Sequence, residues 1–156
     1  MLPPFEWMER VIRIDSVTTR TNHDLVKFLI PLLEDAGLKI FEQRVREGGM
    51  TSSNLVACTN AADSRDLLVM NTHLDTVSGG DAKLWTQTKG NPLRLVRKGD
   101  KVYGLGSADV KLDYLCKLWA LKHTRPWRRP VALVGTFGEE RGLIGAAKLL
   151  DRARIK

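Results

Sequence analysis

Cysteine is scarce in this chain. Only Cys58 and Cys116 occur among 156 residues, far apart. That excludes a disulfide framework and points to a reducing compartment. No apolar run approaches the roughly 20 residues a membrane-spanning helix needs, so no membrane partner is expected. The opening stretch MLPPFEWMERVIRID has no basic start followed by an apolar run, so it does not read as a signal peptide. The expectation is a soluble, cytoplasmic protein. Repeats and low-complexity stretches are missing, which excludes a fibre or a solenoid. Aromatic residues make up only 6% of the chain and do not interleave with the basic ones.

What is present is ordinary globular material, 43% hydrophobic and 28% charged. The length suits one domain with a real core. The net charge of +7 is uneven. Residues 1–78 hold 8 basic and 11 acidic side chains, whereas residues 79–156 hold 17 and 7. A basic half can mark a nucleic-acid footprint, or a chain whose acidic remainder lies elsewhere.

Periodicity divides the chain into alternating elements. Phe5, Met8, Val11 and Ile12 fall at helical spacing behind Pro3 and Pro4. A second helix is expected from Thr21 to Ala36, opened by a capping box of Thr21 and Asp24, kinked at Pro31 and stopped by Gly37. The period then changes. Residues 38–43, 54–59, 66–72, 101–103 and 131–136 read as strands, with LLVM in the third covered on both faces. Val110–His123 and Gly142–Arg154 read as helices. The alternation implies an α/β fold.

Three motifs close or follow apolar strands, where layered α/β folds carry their sites. In THLDTV, His73 and Asp75 stand two apart, as for a metal-binding imidazole oriented by a carboxylate. In GLGSADVK, Asp109 replaces the last glycine of a dinucleotide fingerprint. A carboxylate there would repel a pyrophosphate, so the glycines shape a turn instead. In GEERGLIGA, Glu139 and Glu140 are adjacent carboxylates between glycines. Each motif alone has an innocuous reading: chance, a helix cap, an exposed acidic turn. Together they form a hard-ligand set for Zn2+ or a similar ion. The spacings are 36 residues from His73 to Asp109 and 30 from Asp109 to Glu139, both strand–helix–strand distances.

The motifs in this order resemble the co-catalytic zinc metallopeptidases and amidohydrolases that include acetylornithine deacetylase, succinyl-diaminopimelate desuccinylase, aminoacylase and glutamate carboxypeptidase. The resemblance implies a three-layer α/β/α domain with a mostly parallel central sheet. It implies that His73 binds one zinc ion, Asp109 bridges two, and Glu140 binds the second. It further implies that Asp75 orients His73 and that Glu139 is the general base. Two Zn2+ ions are implied, with Co2+ or Mn2+ as acceptable substitutes. The reaction would be hydrolysis of an amide in an N-acyl amino acid or a small peptide, with a homodimer as the intact assembly.

The sequence departs from that family at several points. Leu112 and Asp113 stand where small residues usually follow Lys111. Asp151 is the only acid after Glu140, and no histidine follows His123. A further acidic ligand, a late histidine and an inserted lid or dimerisation domain are all wanting. The expectation is therefore that residues 1–156 form the N-terminal portion of a catalytic domain, incomplete on its C-terminal side, which alone binds zinc weakly and hydrolyses nothing. A degenerate family member kept for binding is the first alternative. Aminopeptidase-type zinc exopeptidases are the second, though they usually carry Asn after the bridging Asp, where Val110 stands. A nucleic-acid module is supported by charge alone, so no nucleic-acid partner is expected. Trp85, in the loop after THLDTV, is a candidate for the active-site approach.

Overall fold

The computed structural model describes residues 2–59 and 66–152. Helix α1 (Phe5–Arg13) starts at Pro4, whose carbonyl accepts from the Trp7 and Met8 N–H groups. It buries Met8, Val11 and Ile12. Phe5 stays 38% exposed, so the inner stripe is narrower than the spacing suggested. Helix α2 (His23–Asp35) runs through Pro31 and buries Leu25, Val26, Leu29 and Leu33. Each such side chain contributes about 1.5–3 kcal/mol when fully removed from water.

The expected capping box of Thr21 and Asp24 is not formed. Thr21 Oγ1 accepts from the His23 N–H instead. Asn22 is the cap residue, but its side chain is engaged elsewhere. It donates to the Ser53 carbonyl and accepts from the Ser53 N–H, both at 2.8 Å. That exchange ties the start of α2 to the sheet.

Strands β1 (Lys39–Glu47) and β2 (Met50–Cys58) form a hairpin longer than the apolar segments predicted. Gly48 and Gly49, at φ +58° and +82°, supply its two-residue turn. Two consecutive positive φ values suit the right-handed twist of the flanking strands. Strand β3 (Leu68–His73) and strand β6 (Val131–Thr136) complete a four-stranded sheet of order β1-β2-β6-β3. The β3–β6 pair is parallel and the other two pairs are antiparallel, so the sheet is mixed. A small ribbon of β4 (Val96–Lys98) and β5 (Lys101–Tyr103) lies apart from it.

The expectation that LLVM is covered on both faces is corrected. β3 is the edge strand of the described sheet, and Leu68 and Val69 remain 42% and 55% exposed. The strand buried along its whole length is β6, which lies between β2 and β3.

Helix α3 (Lys111–His123) packs on β3 and β6 with Leu112, Leu115, Leu118 and Leu121 inward. Helix α4 (Ile144–Arg152) lies against β1 and β2. Residues 153–154 of its expected span fall outside the described residues. The two faces of the sheet take different helices. Leu55 and Ala57 join the core with α1–α3, while the alternate residue Asn54 donates to the Gly145 carbonyl of α4. The class is thus α/β in three layers. Cys58 and Cys116 are half-buried rather than core residues. No described helix is long and apolar enough to cross a membrane.

Candidate metal centre

The parallel β3–β6 pair sets the site. His73 is the last residue of β3 and lies opposite Thr136, the last of β6. Both chains then leave the sheet on the same side. The Leu74 N–H donates to the Thr136 carbonyl at 2.7 Å. The 74–76 segment is braced from behind: Ser16 Oγ donates to the Leu74 carbonyl, and Thr76 exchanges backbone bonds with Ser16 and Thr18.

After β6 the chain turns at Gly138, with φ +66°, into a short 3-10 turn over Glu139–Arg141. The buried Asp75 carboxylate captures this turn. Its Oδ1 accepts from the Glu139 N–H at 3.2 Å, and its Oδ2 from the Glu140 N–H at 3.3 Å. Asp75 also meets His73, through its backbone. His73 Nδ1 lies 2.9 Å from the Asp75 carbonyl oxygen and 3.7 Å from Oδ1. The chain bends out of the strand between the two residues, so the carbonyl rather than the carboxylate takes the nearer place.

Asp109 arrives from the other direction. Gly106, at φ +82°, turns the chain close to the Lys111 stem; a Cβ there would lie 2.7 Å from Lys111 Cε. At Gly104 a Cβ would lie 2.8 Å from Ile12 Cγ2. The glycines of GLGSAD therefore serve close packing. Asp109 does not cap α3. Its Oδ1 stands 3.0 Å from His73 Nε2.

Each ring nitrogen of His73 faces oxygens that can only accept: Nδ1 the Asp75 carbonyl, and Nε2 the Asp109 Oδ1 at 3.0 Å and, further off, Glu139 Oε2 at 3.8 Å. A neutral imidazole carries one N–H, and with that N–H on Nδ1 the Nε2 lone pair would be available to a cation in the place of a proton. The imidazole and carboxylates are the donor types that zinc-like ions take. Among the described residues, ligand atoms of His73, Glu139 and Glu140 all lie within 4.8 Å of one another. Asp109 sits beside His73 but outside that triple. The residues present fit a divalent cation.

Burial pushes the Glu140 carboxyl above the usual carboxylate range, and the negative charges of Asp109, Glu139 and Asp75 add to it. The nearby His73 opposes the rise. Concentrated like charge of this kind is relieved by a bound cation.

All five residues singled out by the sequence thus converge. Trp85 does not reach them through any hydrogen bond; its Nε1 donates to the Gly79 carbonyl and holds its own loop. Sequence reasoning passed over Lys111 beyond its place in the motif. It is 1% exposed, and Nζ donates to the Ile12 and Ile14 carbonyls at 3.3 and 2.8 Å. A lysine directly beside the GLGSAD turn was the available signal.

The acetylornithine deacetylase of Pectobacterium carotovorum is 29% identical to this chain over 164 residues, covering 99% of this chain and 41% of that protein. The enzyme of the same name from Myxococcus xanthus is 31% identical over 146 residues, covering 92% and 37%. This chain therefore spans about two fifths of the curated relatives it matches. Among solved structures, aminopeptidase PepT from Bacillus cereus gives a TM-score of 0.65 at 27% identity, over 96% of this chain and 39% of that one. An M20 family metallo-carboxypeptidase from Sulfolobus solfataricus gives 0.75 at 18% identity, over 92% and 32%, a likeness of fold. Residues 69–156 match the description peptidase family M20/M25/M40. That match covers more than half of the chain and contains all three acid-bearing motifs, so the chain belongs to peptidase family M20/M25/M40.

Proposed function

We propose that this chain carries the metal-binding side of an amide hydrolase acting on an N-acyl amino acid or a small peptide. In this reading residues 1–156 are the N-terminal portion of a catalytic domain that is completed in a longer protein. The relatives' greater length and their names support it. The observation that carries the metal reading is the convergence of His73 Nε2 with the carboxylates of Asp109, Glu139 and Glu140.

His73, Asp109 and Glu140 would hold the metal, Zn2+ in this reading, and Co2+ or Mn2+ would also be accepted. Such ions supply Lewis acidity and bring a held water's pKa toward neutrality. Asp75 keeps the His73 ring in the Nδ1–H form and fixes the turn that carries both glutamates. Glu139 has a side chain 39% exposed, free to face a substrate. It takes a proton from the attacking water and delivers it to the departing amine nitrogen.

The test is Zn2+ affinity measured by direct titration, together with turnover. Zn2+ binding is expected to fall sharply in His73→Ala and Glu140→Gln and to survive in Glu139→Gln. The 156-residue chain itself is expected to bind weakly and to leave N-acetyl amino acids and dipeptides intact. Equal loss of metal from Glu139→Gln and Glu140→Gln would make Glu139 a ligand instead of the base. Tight binding of two zinc ions with turnover would refute the incomplete-domain reading.

A further inference from the structure

His73 and Asp109 come to their 3.0 Å approach from separate elements, the end of β3 and the lead into α3. Something must hold those elements in register. Leucines of α3 pack on the sheet, but apolar packing tolerates small slides that a metal centre does not.

A polar cluster sits directly beside the site. Thr72, the neighbour of His73, is 5% exposed. Its hydroxyl donates to Asp113 Oδ2 at 2.5 Å. Lys117 Nζ donates to Thr72 Oγ1 at 2.7 Å and to the Asn71 carbonyl at 2.9 Å. It also pairs with Asp113 Oδ2 at 2.6 Å, one helical turn away. Among the described residues, every hydrogen bond between α3 and β3 belongs to this cluster. Burial pushes the Asp113 carboxyl up, yet bonds from Lys117 and Thr72 and the Lys117 charge outweigh it and hold the group below its ordinary value.

We propose that Thr72, Asp113 and Lys117 form a clamp that sets the end of β3 against the start of α3, so that they are positioning residues for the His73–Asp109 pair. The inference rests on the metal reading above. None of the three is among the residues that would hold the metal. Each acts through the residue beside it: Thr72 through His73, Asp113 and Lys117 through the helix that follows Asp109.

The test uses the 156-residue chain and Co2+, titrated with absorption in the visible region as the readout of both affinity and ligand geometry. Thr72→Val keeps the side-chain shape and removes the hydroxyl. The double change Asp113→Asn with Lys117→Met removes one charge of each sign, so the net field at the site is preserved. Both are expected to raise the Co2+ Kd by about tenfold or more, the usual range for groups that orient ligands, and to alter the absorption envelope. Thr72→Ser, which keeps the hydroxyl, is expected to restore wild-type values. Unfolding midpoints measured alongside separate a slack site from an unstable protein: a Kd change at an unchanged midpoint supports the clamp. Wild-type Co2+ affinity and spectrum in both variants would overturn the clamp while leaving the metal reading intact. A wild-type chain whose Co2+ binding is no stronger than that of His73→Ala would overturn both.

Discussion

Replacing Lys111 by methionine removes a buried charge without opening a cavity. The lysine is 1% exposed, its stem packs on Gly106, and its Nζ reaches two carbonyls at the end of α1. Burial pushes its pKa down to about 8, against a pull upward from Asp15. The unfolded value is the ordinary 10.5. As pH rises, native Lys111 therefore loses its proton first. Between the two values the unfolded chain holds more protons, and stability rises with pH. Below pH 8 both states are charged and the penalty is constant. Above 10.5 it is gone. At about 1.4 kcal/mol per unit, the wild type should gain roughly 2–3 kcal/mol over Lys111→Met between pH 7 and pH 10. The assay is urea unfolding of both proteins at four pH values in that window. Other lysines and tyrosines titrate in both and cancel in the difference. A wild-type curve parallel to that of the variant from pH 7 to 10 would refute the argument. It would mean that the two carbonyls stabilise the ammonium enough to cancel its burial.

Two further substitutions probe the packing around the site. The Tyr114 hydroxyl is buried without a protein partner, and burial drives its pKa far upward. Tyr114→Phe should therefore be neutral or stabilising by about 1 kcal/mol, read as a midpoint rise of about 2–4 °C; a loss of that size would contradict it. At Gly145 a Cβ would lie 2.2 Å from the Phe137 carbonyl and 2.6 Å from Asn54 Oδ1. Gly145→Ala should cost about 3 kcal/mol or more, and a thermal midpoint within a degree or two of wild type would show that α4 can shift freely.

The sequence exposed the site more fully than the sheet. His73, Asp75, Asp109, Glu139 and Glu140 were legible because each stands where an apolar element ends or begins. Such positions are brought together by the topology of a layered fold. The hairpin was only half legible. Its outer part, residues 44–53, is polar, so hydrophobicity did not mark it, although Gly48-Gly49 carried the turn signal. The exposed edge of β3 was not legible at all. An apolar run looks the same whether both faces are covered or one is left open, and only strand order decides. The capping box failed for a different reason. Thr21 and Asp24 had the right spacing, but Asn22 between them found a stronger use bridging α2 to Ser53. Thr72 leaves no local pattern, because its partners Asp113 and Lys117 lie 41 and 45 residues away in sequence; the Asp113–Lys117 pair, four apart, was legible only as a surface ion pair of a helix.

Asp75 has two grips. Its carbonyl meets the His73 ring, while its carboxylate takes the N–H groups of Glu139 and Glu140. The donor from one strand end and the donors from the other are therefore joined through a single residue. Loss of that residue would release both sides together, an all-or-none failure rather than a graded one. Pairing a substitution at Asp75 with one at Glu140 should then cost less than the two single losses added, the mark of groups that act as one unit.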